Sequence, residues 1–149
     1  MANSIQQALI ASTPSEKVKA NELAGRVRVA FAEYEASAEQ STIHMFSIPN
    51  GARLLSGSVA YDALGSSTTL SVGHAAYVDS SGSTVALDVD EFKAAASSAS
   101  AGSANVANTI ALGENSVVDA DKDGLPVTVT IAGADATNTI QLHMTYVVD

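Results

Sequence analysis

The chain has 149 residues, one domain's length, and is acidic, with a formal net charge of −9 and no cysteine. The absence of cysteine excludes disulfides, thiolate metal sites and cysteine nucleophiles, and the acidity argues against binding nucleic acid through its phosphates, which needs a basic face. Apolar residues make up 46% but aromatic residues only 5%, with no tryptophan, so the expected core is thin and built from Val, Ile and Leu.

A thin core of small residues suits a protein whose subunit contacts supply part of its stability. The first residues lack the basic start and continuous apolar run of a signal peptide, and no window reaches the ~18 apolar residues that span a bilayer. Synthesis and first folding in a cytoplasm are therefore expected, with no membrane partner. The charge is uneven: up to Arg53 the basic and acidic residues cancel, and beyond it only Lys93 and Lys122 oppose the acids. The acidic part reads either as a solvated, self-repelling surface or as the outward end of a molecule that docks through its neutral end.

In chain order, residues 1–25 show no clean period. Ile5, Leu9 and Ile10 would make one helical turn before Ser12-Thr-Pro-Ser15 interrupts it. This segment reads as a frayed terminus or as an arm that orders on a partner, and residues 26–149 as the folded domain. Arg26 to Tyr34 is a strand, with Val27, Val29 and Phe31 on one side and Arg28, Ala30 and Ala32 on the other. Thr42 to Ile48 follows as a strand and ends at Pro49-Asn-Gly51.

The runs Arg53–Tyr61 and Thr68–Val72, joined by the turn-rich stretch from Asp62, predict a β-hairpin with Leu55, Val59 and Tyr61 on its buried face. Gly73 marks a bulge or a close backbone approach, with Ala75–Asp79 extending the second strand. Thr84 to Val89 reads as a short strand with Val85, Leu87 and Val89 inward. Asp90-Glu-Phe-Lys-Ala-Ala-Ala-Ser97, acidic at its start and free of β-branched residues, predicts about two helical turns capped by Asp88 or Asp90. A Ser-Ala-Gly loop reaches Ala107, and Thr109–Leu112 reads as a short strand. Val127–Ile131 and Thr139–Val148 give the strongest pairing signal, with Ile140, Leu142, Met144, Tyr146 and Val148 alternating without a break. About eight strands and one short helix, at sandwich-like turn spacing, imply an all-β antiparallel sandwich.

Chemistry is sparse. Asp119, Asp121 and Asp123 precede Gly124 in the alternating pattern that wraps a hard cation, but the bidentate Glu and flanking helices of an EF-hand are missing, and acidic Asp-Gly turns are common without metal. His44, His74 and His143 lie far apart in strand-like segments, where surface or interface roles outnumber zinc or general-base roles. No serine sits in a Gly-x-Ser-x-Gly elbow. Carboxylate pairs such as Asp88 and Asp90 lack the aromatic cleft a glycosidase needs. The expectation is a protein that is not an enzyme and has no cofactor.

At Ile48-Pro-Asn-Gly-Ala-Arg-Leu-Leu-Ser-Gly57 and Tyr61-Asp-Ala-Leu-Gly-Ser-Ser-Thr-Thr-Leu-Ser-Val-Gly73 the chain resembles capsid decoration or cement proteins of tailed phages, including short-tailed cyanophages. The likeness continues at Asp90-Glu-Phe-Lys-Ala-Ala-Ala-Ser-Ser-Ala-Ser-Ala-Gly102 and at the closing Tyr146-Val-Val-Asp149, covering roughly residues 42 to 149. It implies a jelly-roll sandwich, a homotrimer seated on the capsid, the major capsid protein as partner, and a place in the virion. Arg26, Arg28 and Arg53 are then expected to face capsid carboxylates. The alternative is a head-fibre or tail module that binds a receptor or glycan; a small metal-dependent hydrolase is a third reading.

Overall fold

The structure, a computed structural model, describes residues 25–148 together with Ser4, Gln7, Ala8 and Ala11. The expected arm over residues 1–25 thus falls largely outside the described residues. Within it Gln7, Ala8 and Ala11 are helical, and the Ser4 hydroxyl accepts the Gln7 N–H at 3.3 Å, as a helix-capping serine does.

The described strands are β1 (Arg26–Glu39), β2 (Thr42–Ile48), β3 (Arg53–Tyr61), β4 (Thr69–His74), β5 (Tyr77–Val78), β6 (Thr84–Val85), β7 (Asp88–Ser97), β8 (Gly102–Val106), β9 (Leu125–Ala132) and β10 (Ala136–Val148). A 3-10 turn stands at Ile110–Leu112, where a strand was expected. One four-stranded sheet runs β1-β10-β3-β8, a second runs β2-β9-β4-β7, and β5 and β6 form a small hairpin. Every pairing is antiparallel. Leu54, Val59, Val106, Ile140, Leu142 and Met144 of the first sheet and Ile48, Leu70, Val72, Val127, Val129 and Ile131 of the second join one buried cluster. Two antiparallel sheets sharing one core are compatible with a β-sandwich.

Two expected hairpins are corrected. β3 and β4 lie in different sheets, and so do β9 and β10. Period-two alternation tells which face of a strand is buried but not which neighbour it pairs with, so a connection between layers reads the same as a turn within one. The face of β3 also differs from expectation. Leu54 pairs with Tyr146 and Ser56 with Thr145, which leaves Leu55 as the extra residue of a bulge. Leu54 is therefore fully buried and Leu55 only half-buried, while Val59 keeps its inward place.

The expected helix at Asp90 is also corrected: Asp88–Ser97 is strand β7, paired with β4. Local helix propensity loses to tertiary pairing because the strand buries Phe92 and satisfies its backbone on β4. Lys93 is buried too, at a register shift, where its ammonium donates to the Leu70 carbonyl at 2.9 Å and the Ala94 carbonyl at 3.0 Å. Leu87, expected inward, is exposed between β6 and β7. Gly73 does mark a close approach, for a Cβ there would lie 2.5 Å from the Val89 carbonyl carbon and 2.7 Å from the Asp90 nitrogen. The alternation in β10 holds as far as Met144, for Ile140, Leu142 and Met144 are fully buried; beyond it Tyr146 and Val148 are only partly buried against the same core, and Val147 on the other face is buried as well.

Candidate docking surface

β1 is an edge strand whose described neighbour is β10, with Arg26 opposite Val148 and the ladder in step as far as Ser37. Its two faces exchange character along its length. The outward residues run Val27, Val29, Phe31 and then Glu33 and Glu35; the inward ones run Arg26, Arg28 and then Ala30, Ala32, Tyr34 and Ala36. Ala36 is buried in the core, but Arg26 and Arg28 are exposed although they point to the core side. The start of β1 therefore projects beyond the shared core and shows solvent both its faces. Val27, Val29 and Phe31 are 64%, 61% and 61% exposed, an unusual state for three successive same-face apolar residues.

Laterally, the Val27 row continues through Val147 to Arg53, and an isolated bridge pairs Arg53 with Val117. Arg53 donates to the Asn115 carbonyl at 2.6 Å. The three expected docking arginines thus split: Arg53 shares the outward face with Val27, while Arg26 and Arg28 occupy the other face of β1. Further along, the outward face is polar and internally bonded. Gln141 donates to Glu33 at 2.6 Å, Thr139 to Glu35 at 3.2 Å, and the Ser56 and Thr145 hydroxyls meet at 3.0 Å. Tyr34 hydrogen-bonds Glu39, which raises the phenol's pKa above its ordinary 10.0.

The acidic loop is organised by its own bonds. Asp119 accepts from the Ser80 N–H at 3.2 Å, Asp121 accepts from the Asp123 N–H at 2.9 Å, and Asp123 pairs with Lys122 at 2.8 Å. The three carboxylates are turned to different partners, and among the described residues no group of three or more His, Asp or Glu is placed to hold a metal ion. The histidines are not brought together: His44 meets Ser47, His143 lies on the outward face opposite Phe31, and His74 is buried against Tyr77 with ring centroids 5.2 Å apart. Burial, then the Asp119, Asp79 and Glu91 carboxylates, raise the Tyr77 pKa. Asp79 has a lowered pKa because the Ser81 hydroxyl and the Ser83 N–H donate to it.

No sequence-family model and no curated protein sequence matches the chain. Solved structures do. A chain in the capsid asymmetric unit of cyanophage Pam1 matches with a TM-score of 0.58 at 20% identity, covering 84% of this chain and 86% of that one. The fold is shared with chains of phage capsids. A chain in the capsid of Ralstonia phage GP4 matches at 0.61 and 19% identity over 84% and 86% of the two chains. One in the acid-stable capsid of Helicobacter pylori bacteriophage KHP30 matches at 0.52 and 16% identity over 82% and 87%.

The apolar trio was visible in the sequence as one face of a strand, but not as an exposed one. The signal was present in the opposite face, which begins with two arginines. A core-facing side that opens on Arg26 and Arg28 marks a strand whose first turn of the pleat the core does not cover.

Proposed function

We propose that the chain is a structural virion protein, a decoration or cement protein that binds the assembled head of a tailed phage as a trimer and holds neighbouring major capsid subunits together. The observation that carries this reading is the likeness, over more than four-fifths of both chains, to three chains from phage capsid structures. Strand order supports a jelly roll. Counting the eight long strands in chain order, the sheets run 1-8-3-6 and 2-7-4-5, the arrangement made when two Greek keys wrap around one core.

Cementing needs no catalysis. A protein that binds the assembled shell and not the free subunit stabilises the shell by mass action. A trimer multiplies modest contacts into tight attachment, since once one subunit is seated the others bind at high effective concentration. In this reading the segment from Met1 to Tyr34, with Arg26, Arg28 and Arg53, faces carboxylates on the shell, and the acidic start of β7 at Asp88–Glu91 and the loop at Asp119–Asp123 face solvent. The test is co-sedimentation with shells assembled without this protein, alongside the native mass by light scattering. A trimer that sediments with shells supports the reading, as does loss of sedimentation on removing residues 1–24 with the fold intact. A chain that ignores intact shells refutes it.

A further inference from the structure

Among the described residues the two four-stranded sheets have four edge strands, and three are short or irregular. β8 has five residues, β7 carries two register shifts, and β2 shifts between His44 and Phe46. Short edges and bulges are the usual means by which a sheet resists adding another strand. β1 is the exception. It keeps step with β10 without a break from Arg26 to Ser37, contains neither proline nor lysine, and has its bulge only at Ala38, where φ is 59°. Its outer backbone edge pairs with no strand among the described residues. The uninterrupted length coincides with the exposed Val27, Val29 and Phe31 on one face and the exposed Arg26 and Arg28 on the other, charges that disfavour a basic or uncharged incoming strand but accept one that brings carboxylates.

We infer that the edge of β1 from Arg26 to Ala32 is a strand-addition seat, taking an extended segment of a capsid subunit that carries apolar side chains on one face and carboxylates on the other. This rests on the cement reading for the partner's source. Main-chain hydrogen bonds would supply the attachment, and the alternating faces the selectivity. Charge selects the partner: Arg26 and Arg28 form no ion pair among the described residues, and they lie in the part of an otherwise acidic chain where basic groups are not outnumbered.

Two other occupants fit less well. A second copy pairing antiparallel on β1 stays apolar on the outward face with Val27 opposite Val29, which sets Arg28 directly opposite Arg28, or with Val29 opposite Val29 and Val27 opposite Phe31. The second register sets Arg28 of each copy diagonal to the other, about 7–8 Å apart on one face, where like charges repel. The chain's own residues just before β1, Glu16 to Leu23, are mostly polar and offer only Val18 and Leu23 as larger apolar side chains, which strand alternation would put on opposite faces.

The experiment compares the full chain with Val29→Glu and with Arg26→Glu/Arg28→Glu in co-sedimentation with shells assembled without this protein. The altered side chains are exposed, so circular dichroism and the melting temperature are expected to match the parent. Binding at least ten-fold weaker for both variants, with the parent's native mass retained, is the expected result. Parent-like binding by both variants overturns the seat but leaves the cement reading standing, whereas a parent that never binds shells removes both. A variant that loses its oligomeric state overturns the inference in favour of a second copy. Backbone amides of residues 26–32 that lose hydrogen-exchange protection when residues 1–24 are deleted would overturn it in favour of the chain's own terminus.

Discussion

Gly73→Ala tests the packing of the second sheet most directly. Gly73 sits in β4, a central strand held by β9 on one side and β7 on the other. A Cβ there would press on the Asp88 carbonyl oxygen, the Val89 carbonyl carbon at 2.5 Å and the Asp90 nitrogen at 2.7 Å. All three are backbone atoms, so no rotamer change relieves the contact; either β7 moves away or β4 leaves its ladder. Overpacking of this kind costs about 3 kcal/mol, set against the ~0.5 kcal/mol gained because alanine has less freedom to lose from the unfolded chain. The net is about 2–3 kcal/mol of destabilisation, or roughly 10 °C in melting temperature for a domain of this size. Gly102→Ala is the matched control, because its Cβ would meet only the tip of the Tyr61 ring, at 3.4 Å from the hydroxyl oxygen. Urea unfolding followed by far-ultraviolet circular dichroism, at one fixed protein concentration, reads both. If Gly73→Ala unfolds within about 0.5 kcal/mol of Gly102→Ala, the close crossing of β4 and β7 is wrong.

The bulge at Leu55 predicts unequal neighbours: Leu54→Ala is expected to cost about 3 kcal/mol and Leu55→Ala about 1 or less, and the reverse order in chemical unfolding would refute the register. The Thr128 hydroxyl is buried with no hydrogen-bond partner among the described residues, so Thr128→Val is expected to raise stability by about 1 kcal/mol; a loss of that size in the same assay would mean the hydroxyl is bonded after all. Burial lowers the Lys93 pKa from its ordinary 10.5. Between the lowered value and 10.5 the unfolded chain holds a proton that the folded chain has released, so stability rises with pH across that window. The raised pKa values of Tyr34 and Tyr77 act oppositely above 10.0, which makes the difference between the parent and Lys93→Met the informative curve. The parent's stability relative to Lys93→Met should rise as pH rises towards 10.5; a difference independent of pH would show that Lys93 does not titrate differently on folding.

Much was legible in the sequence because it rests on local physics. Unbroken alternation from Ile140 to Val148 placed β10 and its buried face, since a side-chain period of two is a property of the strand itself. Composition pointed to a core of Val, Ile and Leu, and Gly73 announced a close backbone approach. Asp119, Asp121 and Asp123 were readable as an acidic turn, but that Asp119 accepts the Ser80 N–H was not, because Ser80 comes within reach of it only in the folded chain. What tertiary structure alone decided is the pairing. Whether β3 meets β4 or crosses to the other layer depends on contacts distant in sequence, and the same contacts turned the helix-prone Asp90–Ser97 stretch into an edge strand around Phe92. The exposure of Val27, Val29 and Phe31 belongs to this second class: their alternation is local, but that they lie on the face turned away from the core is set by the register of β1 on β10, whose Ile140, Leu142 and Met144 face inward.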